Sequence, residues 1–175
     1  MKIAAMTMMA ALTGLAAPAA EPKVTVCIEN DEAGFAKPRA QLIASEMFAR
    51  IGVKMDWRLG LRGCPPLAIL ISLSNSTPAG LRPGALAYAL PFDRTHIRLF
   101  YDRIIQNHKR TLVPIVLAHV LVHEITHVLQ GLDRHSDQGI MKAQWDEADF
   151  AQMLREPLSF TDQDIDLIHR GLATR

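Results

Sequence analysis

Apolar residues are spaced along this chain in two different rhythms, and the change from one to the other predicts its elements. Lys23 to Ile28 (KVTVCI) is short and β-branched, which predicts a strand. From Phe35 to Ile51 the apolar residues Leu42, Ile43, Met47, Phe48 and Ile51 fall at helical spacing, and Gly52 is placed to end the helix. Val53 to Arg58 alternates and predicts a second strand. Leu67 to Leu73 (LAILISL) is a continuous apolar run between Pro65-Pro66 and Ser74-Asn75, the pattern of a central strand buried on both faces. Ala85 to Phe92 and His96 to Tyr101 are two further strands. Strand, helix and four strands together predict an α/β (α+β) domain, a mixed, mostly parallel five-stranded sheet with a covering helix.

The longest periodic segment comes next. A helix is expected from Val113, with Pro114 tolerated in its first turn, to Gln130, with Gly131 as its left-handed stop. Ile115, Val116, Leu117, Val120, Leu121, Val122, Ile125, Val128 and Leu129 make it apolar almost all round, so it is a buried helix. It is not a membrane span, because three histidines and a glutamate interrupt a run already short for the bilayer. Two shorter helices follow. Asp146 to Leu154 stops ahead of Pro157, and Asp162 to Arg170 is preceded by Thr161 as N-cap, with Asp164 three residues on.

The polar residues inside that buried helix carry the chemistry. The run His123-Glu124-Ile125-Thr126-His127 puts two imidazoles one helical turn apart on one face, where both can reach a single metal ion. Glu124 lies beside them, placed to act as a base on a water polarised by that ion. Burial strengthens the argument, since two histidines and a carboxylate in a dry interior need a polar partner, and a metal ion supplies one. Zinc is the ion that two imidazoles and an open position favour, and a catalytic site takes a third protein ligand. His135, eight residues beyond His127, can return to the metal once Gly131 turns the chain out of the helix. His119 extends the histidine stripe one turn the other way. From His119 to His127 a helix rises about 12 Å, too far for both to bind one ion at about 2.0 Å, so His119 is expected to be packed or to support a ligand. Asp133 and Asp137 are candidates to orient a ligating imidazole, and His96, His108 and His169 are expected in surface or loop positions.

The stretch HEITHVLQGLDRHSDQGIM resembles the metzincin metallopeptidases, whose pattern is H-E-x-x-H-x-x-G-x-x-H followed by a methionine in a tight turn below the metal. Gly131-Leu132-Asp133-Arg134-His135-Ser136 is closest in wording to the Gly-Leu-Asp-His-Ser of the matrixin branch. The resemblance implies His123, His127 and His135 as zinc ligands, Glu124 as general base, Met141 as the methionine of the turn, and a metzincin-like zincin fold. The chain departs from the pattern by one extra residue on each side of Gly131. A competing third ligand is Glu147, 20 residues past His127 on an expected helix, where the gluzincin peptidases place a glutamate. Gly131 and the Gly139-Ile140-Met141 turn have no role under that alternative, and Glu147 reads more simply as part of a charged first helical turn.

The rest of the chain sets the context. Its 175 residues suit one domain, expected over residues 21–175. Residues 1–20 have a positive start at Lys2, an uncharged apolar stretch from Ile3 to Ala17, and Ala17-Pro18-Ala19 as a small-x-small cleavage pattern, which predicts an export signal. Cleavage after Ala20 removes one base and leaves 18 basic against 18 acidic residues, giving no electrostatic reason to expect nucleic acid or an anionic membrane as partner, and no stable membrane insertion is expected once the signal is removed. The two cysteines, Cys27 and Cys64, are expected to form a disulfide in an oxidising compartment, periplasmic or extracellular. Taken together, these features predict an exported zinc metalloendopeptidase with one catalytic Zn2+ and a peptide or protein substrate. The competing class is a non-catalytic exported zinc-binding module on the same scaffold, which would have no use for Glu124.

Overall fold

The computed structural model describes residues 21–29, 34, 36–80, 84–89 and 95–175, so the expected export segment lies outside the described residues. In chain order the elements are β1 (Lys23–Ile28), α1 (Ala36–Ala49), β2 (Lys54–Leu59), β3 (Ile69–Ser74), β4 (Ala87–Ala89), β5 (His96–Phe100), α2 (Tyr101–Asn107), α3 (Val113–Gln130), α4 (Glu147–Met153) and α5 (Asp162–Ala173). The strands form one sheet in the order β2-β1-β3-β5-β4. β1 pairs parallel with β2 and β3, β3 pairs parallel with β5, and β4 closes the far edge antiparallel to β5. This is the mixed, mostly parallel, five-stranded sheet that the alternation predicts. Of the strand expected over Ala85 to Phe92, Ala87–Ala89 is paired, and its continuation from 90 lies outside the described residues.

The register explains where the core lies. Val26 sits opposite Ile69, Ile28 opposite Ile71, Ile71 opposite Ile97 and Leu73 opposite Leu99, so these side chains share one face. That face joins Phe48 of α1 and Leu117, Leu121 and Ile125 of α3 in a single buried cluster. Each such side chain contributes about 1.5–3 kcal/mol by leaving water. Thr25, Asp56, Ser72, His96 and Arg98 occupy the alternate positions and are half-buried or exposed. β3 is therefore central in the sheet but not buried on both faces. Ile69 and Ile71 are fully buried, whereas Leu70 and Ser72 are half-buried, because α1 and α3 pack against each other on one side.

Two elements differ from expectation. The strand from His96 ends at Phe100, and Tyr101 begins a helix that the sequence pattern does not announce. Over seven residues only Tyr101 and Ile104 are buried, too few positions for a period to emerge. α5 continues past Arg170 to Ala173, its buried Ile168 and Gly171 keeping it against α3. Both caps are formed: Asp146 and Thr161 each make a capping box, with Asp149 and Asp164 as the reciprocal partners. Cys27 and Cys64 are joined in a disulfide that ties β1 to the loop before β3. Closing a loop over a separation of 37 residues restricts the unfolded chain by about 4 kcal/mol in the chain-entropy account.

Candidate metal centre

α3 is long and apolar enough to span a membrane by length and composition, but it runs through the middle of the protein, with Ile115 its one residue short of full burial. Gly131 ends it in the left-handed conformation at φ 65°, its N–H returning to the His127 carbonyl at 2.9 Å. That bond finishes the helix at the turn where the second histidine emerges. His123 and His127 are both buried, and their Nε2 atoms face each other at 3.0 Å. The opposite ring nitrogens show which tautomer is present. His123 Nδ1 lies 2.9 Å from the Ile140 carbonyl and His127 Nδ1 lies 3.0 Å from the Leu132 carbonyl. A carbonyl only accepts, so each Nδ1 carries the hydrogen and donates it, leaving a lone pair on each Nε2. Burial, more than the charge of neighbouring histidines, pushes both imidazoles below the usual histidine range, His123 to about 3. Two neutral rings thus aim two lone pairs at one another in a dry interior. A cation between them satisfies both.

His135 completes the group. Its ligand atom and those of His123 and His127 all lie within 4.8 Å of one another. A tetrahedral zinc with bonds of about 2.0–2.1 Å holds its donors about 3.4 Å apart, a set that small side-chain rotations would reach from here. His135 is exposed, so the group is buried on the helix side and open to solvent on the loop side. The donor set therefore fits a zinc ion bound by three imidazoles with one position free for a water or substrate.

The loop carrying His135 closes into a tight turn. Ser136 N–H donates to the Met141 carbonyl at 2.8 Å, and Lys142 N–H to the Gly139 carbonyl at 3.3 Å. Gly139 has φ 74°, and a Cβ there would sit 2.3 Å from the Ser159 carbonyl, so this corner accepts glycine alone. Ile140 N–H donates to that same Ser159 carbonyl at 2.9 Å, while the Ile140 carbonyl receives the His123 Nδ1 hydrogen. Met141 is fully buried in the main hydrophobic cluster. The turn thus orients a histidine through its backbone and anchors itself through its methionine.

Glu124 is buried next to His123. Burial pushes its carboxyl up to about 8, against the opposing hydrogen bond from the Ala89 backbone at the sheet edge. This has a measurable consequence in the metal-free protein. The lowered histidines favour folding above pH 6.5, and that contribution is lost as pH falls toward 3. The raised Glu124 favours folding below 4.5, and its contribution is lost as pH rises through 8. Chelated protein should therefore be most stable near pH 6.5. It should lose about 2 kcal/mol, or roughly 4–8 °C in unfolding midpoint, between pH 6.5 and 8. Glu124→Gln should flatten that alkaline limb and leave the acid limb in place. A thermal-unfolding series across pH checks this, and a decline of the same slope in the variant would contradict it.

The remaining histidines and acids are placed elsewhere. His119 is fully buried one turn before His123, its Nδ1 donating to the Ile115 carbonyl at 2.8 Å and its Nε2 accepting from Leu158 N–H at 3.1 Å. Both nitrogens are engaged, so it is a packed histidine that fastens the 158–159 segment supporting Ile140. Asp133 and Asp137 are exposed, and backbone carbonyls, not these candidates, orient His123 and His127. Glu147 is exposed at the start of α4, outside the three-histidine group. His96 and His169 are exposed, and the half-buried His108 ring packs against Phe150.

Two residues whose nearness to the site the sequence does not announce stand close by. The Trp145 ring lies edge-on to His123 at 5.7 Å and to His119 at 6.2 Å, walling the imidazole on its helix. Asp164 is fully buried and accepts from Arg134, Ser136 and Thr161. Burial alone would raise its pKa, but these hydrogen bonds outweigh that and hold it below the usual aspartate range.

No protein-family profile matches the sequence, and no curated protein matches it at the sequence level. Solved structures resemble it in fold. Archaemetzincin from Methanopyrus kandleri aligns at a TM-score of 0.60 and 14% identity, covering 91% of this chain and 99% of that one. The fold is metzincin-like. Myroilysin aligns more loosely, at a TM-score of 0.40 and 12% identity over 82% of this chain and 65% of that one. At 14% identity the archaemetzincin likeness concerns the fold alone.

Proposed function

We propose that this chain is an exported, zinc-dependent peptidase, with His123, His127 and His135 as the metal ligands and Glu124 as the proton carrier. The observation that carries the reading is the pair of Nε2 lone pairs facing each other at 3.0 Å, closed by His135 on the solvent side and flanked by a buried carboxylate. Zinc bound there supplies Lewis acidity for a water and for the scissile carbonyl. The chain's own residues do the rest. Glu124 takes the proton from the attacking water on its carboxylate and returns it to the departing amide nitrogen. The Ile140 and Leu132 carbonyls keep the first two imidazoles turned to the metal, and the Trp145 ring restricts His123 on one side. The open loop side leaves room for an extended peptide to approach.

Export rests on the pattern of residues 1–20, and the Cys27–Cys64 disulfide supports an oxidising compartment. The test is metal content of the purified chain together with cleavage of a peptide library before and after chelation. One zinc per chain and cleavage that disappears with chelator and returns with Zn2+ are expected. Cleavage unaffected by complete zinc removal would overturn the reading.

A further inference from the structure

The loop that carries His135 is one residue longer after Gly131 than the tightest metzincin spacing, and a longer loop holds its ligand less firmly unless something clamps it. A clamp is present. Arg134 Nη1 and Ser136 Oγ, on either side of His135, both donate to one oxygen of Asp164, each at 2.8 Å. Arg134 Nη2 also donates to Gln163 Oε1 at 2.7 Å. The Asp164 side chain is 0% exposed, so water does not compete for its oxygens. The second carboxylate oxygen accepts from Thr161 N–H at 3.0 Å and Thr161 Oγ1 at 2.6 Å, fixing the carboxylate at the start of α5. The Asp164 backbone carbonyl in turn accepts from Gln130 Nε2 at 3.3 Å, at the end of α3. One residue thus touches the end of the helix that presents His127 and both neighbours of His135.

We infer that Asp164 is the positioning residue for the third histidine: through Arg134 and Ser136 it fixes where His135 stands relative to His127, and so sets the affinity of the centre for zinc. This rests on the metal-centre reading above. A packed carboxylate that merely stabilised the fold would need one set of partners, whereas this one divides its oxygens between two tasks. One oxygen caps α5 and the other holds the loop. The division makes the two roles separable by mutation.

The experiment measures Zn2+ affinity by competition with a chromogenic chelator, alongside thermal unfolding of the metal-free protein. Arg134→Ala combined with Ser136→Ala releases the loop and keeps the α5 cap. It should weaken zinc binding about 10–100-fold, the range seen when the outer partners of metal ligands are lost, and lower the metal-free unfolding midpoint as well, since Asp164 Oδ1 loses both partners. Arg134→Lys alone, which keeps a cation for Asp164, should stay closer to wild type than Arg134→Ala. Thr161→Ala weakens the cap and should lower the midpoint by several degrees while leaving zinc affinity within twofold. Zinc affinity within twofold of wild type in the double variant, or an equal loss of affinity in Thr161→Ala, would overturn the inference. Failure of the wild-type chain to bind zinc would overturn the metal-centre reading and this one with it, whereas retained affinity in the double variant overturns this one alone.

Discussion

His135→Ala should strip the chain of zinc under conditions where wild type and Glu147→Ala keep it. Three imidazoles whose ligand atoms lie within 4.8 Å of one another form a chelate already arranged for the ion. Removing one leaves two donors on α3 and an open loop side, and solvent cannot restore the preorganisation. The loss should exceed the roughly 10–100-fold that follows removal of an outer partner, since a ligand itself is gone. Glu147 is exposed in the first turn of α4, beside the capping box formed by Asp146 and Asp149. Its removal costs about 0.3–1 kcal/mol of favourable interaction with the helix dipole. Zinc content after dialysis against a moderate chelator separates the two variants. Loss of zinc in Glu147→Ala with retention in His135→Ala would exchange the third ligand and leave the HExxH pair untouched.

How much of this was legible in the sequence depends on how far each interaction reaches along the chain. α1, α3, α4 and α5 could be read because each repeats a local period or carries a local cap, as Thr161 and Asp164 do within a single turn. The histidine group could be read because two members share one helix and the third follows a glycine stop. Whatever joins distant segments through the backbone left no mark. The acceptors that orient His123 and His127 are carbonyls of Ile140 and Leu132, and any residue type offers a carbonyl. Aspartates near the motif therefore drew attention that the backbone had already satisfied. Asp164 was visible as a helix cap, but its second task depends on Arg134 and Ser136, 30 and 28 residues away. Trp145 gives no signal beyond its size. β3 misled for a related reason: a run of apolar residues shows that a strand is central, and not which of its faces a helix covers.

Glu124→Gln should bind zinc as tightly as wild type and cleave peptides at least about 10²-fold more slowly, the lower end of what a positioned acid–base group contributes. Glutamine has nearly the shape of glutamate, can still accept a hydrogen bond from the Ala89 backbone, and cannot take a proton from water at neutral pH. The three imidazoles do not depend on it, because their Nδ1 partners are carbonyls at Ile140 and Leu132 for the first two, and the clamp on Asp164 for the loop of the third. The comparison also separates a peptidase from a module that only holds metal. Such a module would have no reason to bury a carboxylate next to His123, where desolvation disfavours its charged form. Zinc content and peptide turnover measured on the same preparation settle it. Unchanged zinc with unchanged cleavage would remove Glu124 from the chemistry, and unchanged zinc with no cleavage by wild type either would leave the centre as a binding site.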